Sequence, residues 1–146
     1  MSTWLPGVEV ADDALEFDAV FGLRPDLFDA YRDFESVFWT HELLDAEILD
    51  ACRARCAQVL RAASAPETPV TADDPTSALG ACLTLAEQFV IDPHCVTAEM
   101  RDGVVAHVGD AGLVALVEAL AVFDGFTRFR TLLDITPDPG PNEGAR

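Results

Sequence analysis

The chain contains no lysine, so arginine supplies all nine of its basic residues, against 26 acidic ones. The formal net charge is −17 over 146 residues. A surface this negative repels phosphate groups and anionic lipid headgroups, which makes nucleic acids and membranes unfavourable partners. The simplest interpretation of the charge is a solvated acidic surface, and a specific cationic partner is the alternative.

Signals for export and for membrane insertion are also missing. The first ten residues lack the basic start and the apolar run of a signal peptide. The apolar run that comes closest to a membrane span, Leu113 to Phe123, contains Glu118 and is shorter than the roughly 20 residues required. The four cysteines lie at apolar positions of predicted helices or just before one, which favours reduced thiols. We therefore expect a cytoplasmic protein.

Common catalytic signatures are absent as well. The sequence has no glycine-rich phosphate loop, no Ser-His-Asp order and no metal-binding motif. Cys52 and Cys56 are four residues apart on a predicted helix, a spacing too wide for an undistorted disulfide. No histidine or further cysteine lies nearby in sequence to complete a metal site. We expect no metal and no cofactor, and we interpret both cysteines as small core residues.

Hydrophobic residues make up 50% of the chain, and they recur at the three- and four-residue steps of amphipathic helices. The sequence therefore predicts an all-α fold, a compact bundle of about six helices. The predicted helices are 12–21, 25–41, 45–63, 74–91, 97–107 and 113–133. They form a single domain, 1–135, with an extended N-terminal arm at 1–11. The tail 136–146, rich in proline and glycine, is predicted to be disordered.

Several strings of residues follow one another in an order and spacing typical of a known family. They are 20–28 (VFGLRPDLF), 83–87 (LTLAE), 92–94 (DPH) and 121–129 (AVFDGFTRF). In this succession, the segment from Phe17 to Ile135 resembles the carboxymuconolactone decarboxylase family, which includes the alkyl hydroperoxidase D-like proteins. The resemblance implies an alkyl hydroperoxidase D-like helical fold that assembles as a dimer, trimer or hexamer.

The chain departs from the family at the usual active site. In the peroxidase branch, an acidic residue opens a pattern that ends in Cys-x-x-Cys, with a histidine a turn later. Asp50 stands in the acidic position and Arg55 in the usual arginine position, but Ala62 and Ala65 replace the two cysteines. Peroxide reduction requires an attacking thiolate and a resolving thiol, and alanine supplies neither. We therefore expect no thiol-peroxidase chemistry at this place.

The histidine on which the decarboxylase branch relies is missing too. No histidine occurs between His41 and His94, and the connection from Ala65 to Pro75 is shorter than in relatives. The remaining acid–base candidates are Asp50, Glu118 and His94, and the candidates for lining a ligand pocket are Arg55, Val59 and Cys95.

The carboxylates among these candidates also have structural interpretations. Asp50 lies near Arg53 and Arg55 on the same helix, and such neighbours commonly form surface ion pairs. Glu118 interrupts a strongly apolar helix, so we expect it to be buried and paired with an arginine: Arg128, Arg130 or one from a neighbouring subunit. The apolar faces of the segments 27–39 and 113–129 exceed what one small bundle covers, so we expect a homo-oligomer.

Three functions are compatible with the sequence, and only two of them are enzymatic. The first, which we favour, is a family member without redox chemistry that binds a small apolar molecule or supports a partner enzyme as a helical oligomer. The second is a decarboxylase- or isomerase-like enzyme that uses Asp50, Glu118 or His94 as acid or base. The third is a thiol peroxidase whose chemistry has moved to Cys95 or Cys82.

Overall fold

The computed structural model describes Leu5, residues 7–10 and residues 15–135. This part of the chain contains five α-helices, one short 3-10 segment and no β-strand, which confirms the all-α prediction. The helices are α1 (Glu16–Phe21), α2 (Pro25–Thr40), α3 (Ala46–Val59), α4 (Ala78–Ile91) and α5 (Ala98–Leu132), and the 3-10 segment is Pro93–Cys95. Most of the predicted N-terminal arm and the whole of the predicted tail, 136–146, lie outside the described residues.

α5 contains a break that the sequence predicted as a helix boundary. Gly109 has φ 72° and ψ 178°, a conformation that interrupts the helix and that glycine adopts readily because it has no Cβ. The prediction of about six helices counted the segments before and after this residue separately. The structure describes them as one element with a break.

α4 begins at Ala78, four residues later than the predicted helix start, because residues 74–77 form a turn. The Asp74 carboxylate accepts hydrogen bonds from the backbone N–H and the hydroxyl of Thr76 at 2.8 and 2.7 Å. Ser77 then caps the helix, since its Oγ accepts from the Gly80 N–H at 3.0 Å. A Cβ on Gly80 would lie 2.6 Å from the Cα of Pro75. This close approach requires glycine at position 80.

The main hydrophobic core lies between α3, α4 and α5, with Phe38 and Leu44 added at its edge. Its fully buried side chains include Leu49, Leu85, Leu116, Leu120 and the thiols of Cys52, Cys56 and Cys82. Burying a leucine of this kind contributes about 1.5–3 kcal/mol. The prediction that Cys52 and Cys56 are core residues is confirmed.

A second, aromatic cluster attaches α1 and α2 to the end of α5. Phe17 is its centre, with the rings of Phe21, Phe28, Tyr31, Phe126 and Phe129 at centroid distances of 5.6 to 6.5 Å. The guanidinium of Arg130 covers the Phe17 ring at 3.9 Å from its centroid. α2 contacts the protein through one face only, so that Phe38 is its single buried residue.

By length and composition alone, α5 qualifies as a candidate membrane span, which the sequence analysis did not anticipate. That criterion is also met by core helices of proteins that do not enter a membrane, and α5 packs against both α3 and α4. Its buried residues form one stripe directed at those helices, from Val104 through Leu116 and Leu120 to Phe123.

Candidate functional site

Ala62 and Ala65, which the resemblance aligns with two cysteines, lie just beyond α3, where a turn closes the helix. The Ala62 N–H donates to the Ala57 carbonyl at 2.9 Å, and the Arg61 N–H donates to the Gln58 carbonyl at 3.1 Å. These two bonds define a Schellman motif, which usually places glycine in the left-handed conformation. Arg61 adopts it here, with φ 54°. The end of α3 therefore turns away from the helix axis before Ala65 is reached.

One side chain holds the shortened connection after α3 against the helix. Gln58 Nε2 donates to the carbonyls of Pro66 and Thr68 at 3.0 and 2.7 Å. Its Oε1 accepts from the Val70 N–H at 3.0 Å. The loop that contains Pro69 is thus held by a single side-chain amide. Sequence reasoning missed Gln58, although a glutamine in the last turn before a proline-containing loop was a usable signal.

α5 ends in the same way and beside the end of α3. The Ile135 N–H donates to the Arg130 carbonyl at 2.9 Å, the Asp134 N–H donates to the Thr131 carbonyl at 3.3 Å, and Asp134 has φ 52°. Between the two helix ends lies a cleft of about 100 Å³. Its lining consists of Ala62, Ala63, Ser64, Thr127, Arg130, Thr131, Asp134 and Ile135, and it includes neither cysteine nor histidine.

Asp50 lies on the exposed side of α3 and forms a surface ion pair. Its Oδ1 accepts from Arg53 Nη2 at 2.5 Å, and the Arg53 guanidinium lies 5.3 Å from the centroid of the Trp39 ring. These residues line an open groove of about 430 Å³ together with Ala46 and Glu47. The structural interpretation of Asp50 describes this geometry better than the catalytic one.

Arg55 does not pair with Asp50 but reaches across to α4. Its Nε and Nη2 both donate to Oε2 of Glu87, with the Nε distance at 3.2 Å. The pair is partly buried and joins two helices whose contact forms much of the core. Sequence reasoning missed Glu87, because its partner is 32 residues away and no local pattern connects them.

Within one protomer, the prediction that Glu118 is buried is wrong. Glu118 is exposed there, because the buried stripe of α5 runs through Ala115, Leu116 and Ala119 and leaves position 118 on the opposite side. The expected pairing with Arg128 is also absent within the protomer, whereas pairing with an arginine of a neighbouring subunit stays a prediction. Arg128 Nε instead donates to both carboxylate oxygens of Asp124 at 3.0 Å, and this carboxylate raises the pKa of Arg128.

His94 and Cys95 are both exposed in the 3-10 segment, and Asp92 organises them. Its Oδ1 accepts from the His94 N–H at 3.0 Å, and its Oδ2 accepts from Cys95 Sγ at 3.2 Å. The hydrogen bond and the negative charge of Asp92 raise the pKa of the Cys95 thiol. A raised pKa keeps the thiol protonated at neutral pH, which is the reverse of activation.

The other three thiols are buried in the core. Burial raises the pKa of Cys82 to about 11 and that of Cys56 to about 12, and it raises the pKa of Cys52 further, with Cys82 and Cys56 as minor contributors. These thiols are small hydrophobic side chains at neutral pH.

The candidates from sequence are not brought together in one site. Asp50 lines the open groove, whereas Arg55, Val59 and Cys95 line neither that groove nor the cleft between the helix ends. The interior between α3 and α5 is filled by fully buried side chains such as Leu49 and Leu116. No three histidine, cysteine or acidic side chains of the described residues are placed to hold a metal ion together.

No protein-family model, curated protein or solved structure matches this chain. The resemblance to the carboxymuconolactone decarboxylase family therefore depends on the residue strings described above.

Proposed function

We propose that the chain is a divergent carboxymuconolactone decarboxylase-like protein, with the alkyl hydroperoxidase D-like arrangement of six helical segments, that supports a partner protein and has no thiol-peroxidase chemistry. The observation that carries the proposal is the closed end of α3. Ala62 lies in the Schellman turn closed at Arg61, the connection beyond Ala65 is held by Gln58, and neither cysteine nor histidine lines the adjacent cleft.

Binding of a small apolar molecule is the less favoured form of this proposal. Ligand pockets are typically about 300–1,000 Å³ and mostly apolar. The cleft beside Ala62 has about 100 Å³ and includes the charged side chains of Arg130 and Asp134. The groove at Trp39 is larger but open, and three of its five lining residues are charged. Between α3 and α5, side chains such as Leu49 and Leu116 are fully buried in the core.

The acid–base enzyme and the relocated peroxidase have less support. A general acid or base is usually enclosed beside a second polar group and a substrate-sized cavity. Asp50, Glu118 and His94 are instead exposed, and they lie on three different elements: α3, α5 and the 3-10 segment. Cys95 is paired with a carboxylate that disfavours the thiolate, and Cys82 is buried.

The test is peroxide consumption by the whole chain in the presence of a dithiol reductant. We expect no turnover above the uncatalysed rate, and no change on Cys95→Ser or Cys82→Ser. Turnover that disappears in either variant would contradict the proposal and establish the relocated peroxidase.

We also propose that the protein forms a homo-oligomer through the exposed side of α5. Val114 is 58% exposed, and Val117 and Ala121 continue the same apolar line along the helix. Light scattering at micromolar concentration should give a mass above 15.7 kDa. Val114→Asp should reduce that mass to the monomer value, and a monomeric wild-type chain would contradict this part of the proposal.

A further inference from the structure

The outer face of α2 carries an apolar stripe that nothing in the described chain covers. We define the α2 stripe as Leu27, Ala30, Phe34 and Val37 of the helix, together with Leu23 in the turn before it. The four helical residues follow one another at steps of three and four residues. Four of them are large, and these are 59, 49, 50 and 53% exposed in chain order, while Ala30 is exposed as well. A repeat of alternating four- and three-residue steps is the pattern by which one helix packs along another. From Leu27 to Val37 the stripe is about 15 Å long, at 1.5 Å per residue.

One edge of the α2 stripe is acidic from Asp26 to Asp33. Asp26, Asp29 and Asp33 follow the same side of the helix at three- and four-residue spacing, and all three are exposed. Asp26 is paired with Arg24, whereas the carboxylates of Asp29 and Asp33 have no ion pair within the described residues. The other arginine of the helix, Arg32, stacks on the Phe28 ring and so faces the aromatic cluster.

This charge distribution disfavours a second copy of the chain as the occupant of the stripe. Two α2 helices packed antiparallel about Ala30 would place their acidic edges against each other, and like charges at such positions are destabilising. An occupant with basic residues would instead match both the apolar line and its charged edge.

We infer that the α2 stripe is a docking surface for a basic amphipathic helix of a partner protein. The apolar residues of that helix lie on Leu27, Phe34 and Val37, and its lysine or arginine side chains pair with Asp29 and Asp33. This inference rests on the proposed function, in which the chain supports a partner protein. If the peptide does not bind, the proposed absence of peroxidase chemistry still stands, because the peroxide-consumption assay tests it separately.

The probe is a synthetic basic helix of about five turns, with leucine at alternating three- and four-residue steps and lysine beside them. A second peptide with the same composition in scrambled order keeps the charge and loses the apolar line. A third peptide carries glutamate in place of lysine. Fluorescence anisotropy of each labelled peptide, titrated with the whole protein at physiological ionic strength, gives the dissociation constants. We expect the basic amphipathic peptide to bind at least about tenfold more tightly than either of the other two.

Variants of the protein distinguish peptide binding at the α2 stripe from nonspecific charge attraction between the peptide and the protein. The double variant Phe34→Ser/Val37→Ser should weaken binding of the basic amphipathic peptide about tenfold or more, with the net charge unchanged. The matched control is Ile91→Ser/Leu132→Ser, at apolar positions 61 and 65% exposed outside the stripe, and it should bind as wild type does. Asp29→Asn/Asp33→Asn should also weaken binding and should reduce its dependence on salt. Circular dichroism of each variant confirms that it is folded.

Three outcomes would overturn the inference. Equal binding of the amphipathic and scrambled peptides would show charge attraction alone. Unchanged binding by the Phe34→Ser/Val37→Ser variant, in a folded protein, would place the contact elsewhere. Dissociation of a wild-type oligomer by that variant would show that a second copy covers the stripe instead.

Discussion

Replacing Arg61 by glycine should stabilise the protein, although it removes the longest side chain at the end of α3. Arg61 has φ 54°, a left-handed conformation that costs a residue with a Cβ about 1–2 kcal/mol. Its side chain is exposed and forms no hydrogen bond or ion pair within the described residues, so its loss costs only the attraction between its charge and the helix dipole, about 0.3 kcal/mol at an exposed position. Glycine removes the steric cost, but the larger chain entropy of its unfolded state costs roughly 0.5–1 kcal/mol. The central values leave a net gain in the free energy of unfolding of about 0.5 kcal/mol.

Asp134→Gly should give a similar or larger gain, because Asp134 also places a negative charge at a helix C-terminus. A carboxylate there opposes the helix dipole by about 0.3–1 kcal/mol. The assay is urea denaturation followed by circular dichroism. A gain of about 1 kcal/mol shifts the midpoint by roughly 0.3–1 M urea and the melting temperature by about 2–4 °C for a chain of this size.

The matched control is Ala62→Gly, one residue beyond Arg61. No left-handed strain exists at Ala62 to be relieved, so the added entropy of glycine should destabilise this variant by roughly 0.5–1 kcal/mol. If Arg61→Gly lowers the midpoint, or if both variants shift it in the same direction, the Schellman geometry assigned to the end of α3 is wrong.

Three further changes test the surroundings of the site and the core. Gly80→Ala should destabilise the protein by several kcal/mol, because the added Cβ would overlap the backbone of the turn before α4. The control Gly103→Ala, whose Cβ would have its nearest neighbour at 4.0 Å, should be neutral or stabilising, and urea denaturation measures both. Gln58→Ala removes three hydrogen bonds and should lower the free energy of unfolding by about 1–3 kcal/mol. Proteolysis of the connection 64–73 should become faster, and unchanged proteolysis would refute the anchoring role of Gln58. Ellman's reagent should modify only Cys95 in the native protein, because the other three cysteines are buried. Asp92 raises the pKa of the Cys95 thiol, so Asp92→Asn should lower that pKa and accelerate the reaction at pH 7–8. An unchanged pH–rate profile would contradict the contact between Asp92 and Cys95.

Local patterns in the sequence were enough to place α2 and the centres of the other described helices. Pro25 at the first helical position and the apolar steps that follow predicted 25–41, and the helix is Pro25–Thr40. The prediction failed at ends that are set by individual hydrogen bonds. The predicted helix 45–63 ends too late, because the backbone hydrogen bonds donated by Arg61 and Ala62 close α3 at Val59.

The candidate site was predicted less well than the fold, because its residues depend on which helix faces meet. α5 is apolar on most sides, so periodicity could not show that its core face excludes Glu118. The partner of Arg55 was out of reach for the same reason, since Glu87 lies on another helix. The absence of a thiol at positions 62 and 65 follows from the residue types alone, since both are alanine.

The break at Gly109 has a consequence for the environment in which α5 can exist. Any stretch of eighteen residues in α5 with no more than two charges lies between Asp102 and Asp124, and every such stretch includes Gly109. In lipid, backbone N–H and C=O groups find no water, so a spanning helix depends on an uninterrupted ladder of its own hydrogen bonds. The backbone at Gly109 departs from the helical conformation, and each N–H or C=O group that this leaves unsatisfied in hydrocarbon would cost several kcal/mol. Lipid is therefore an unfavourable environment for this part of the chain.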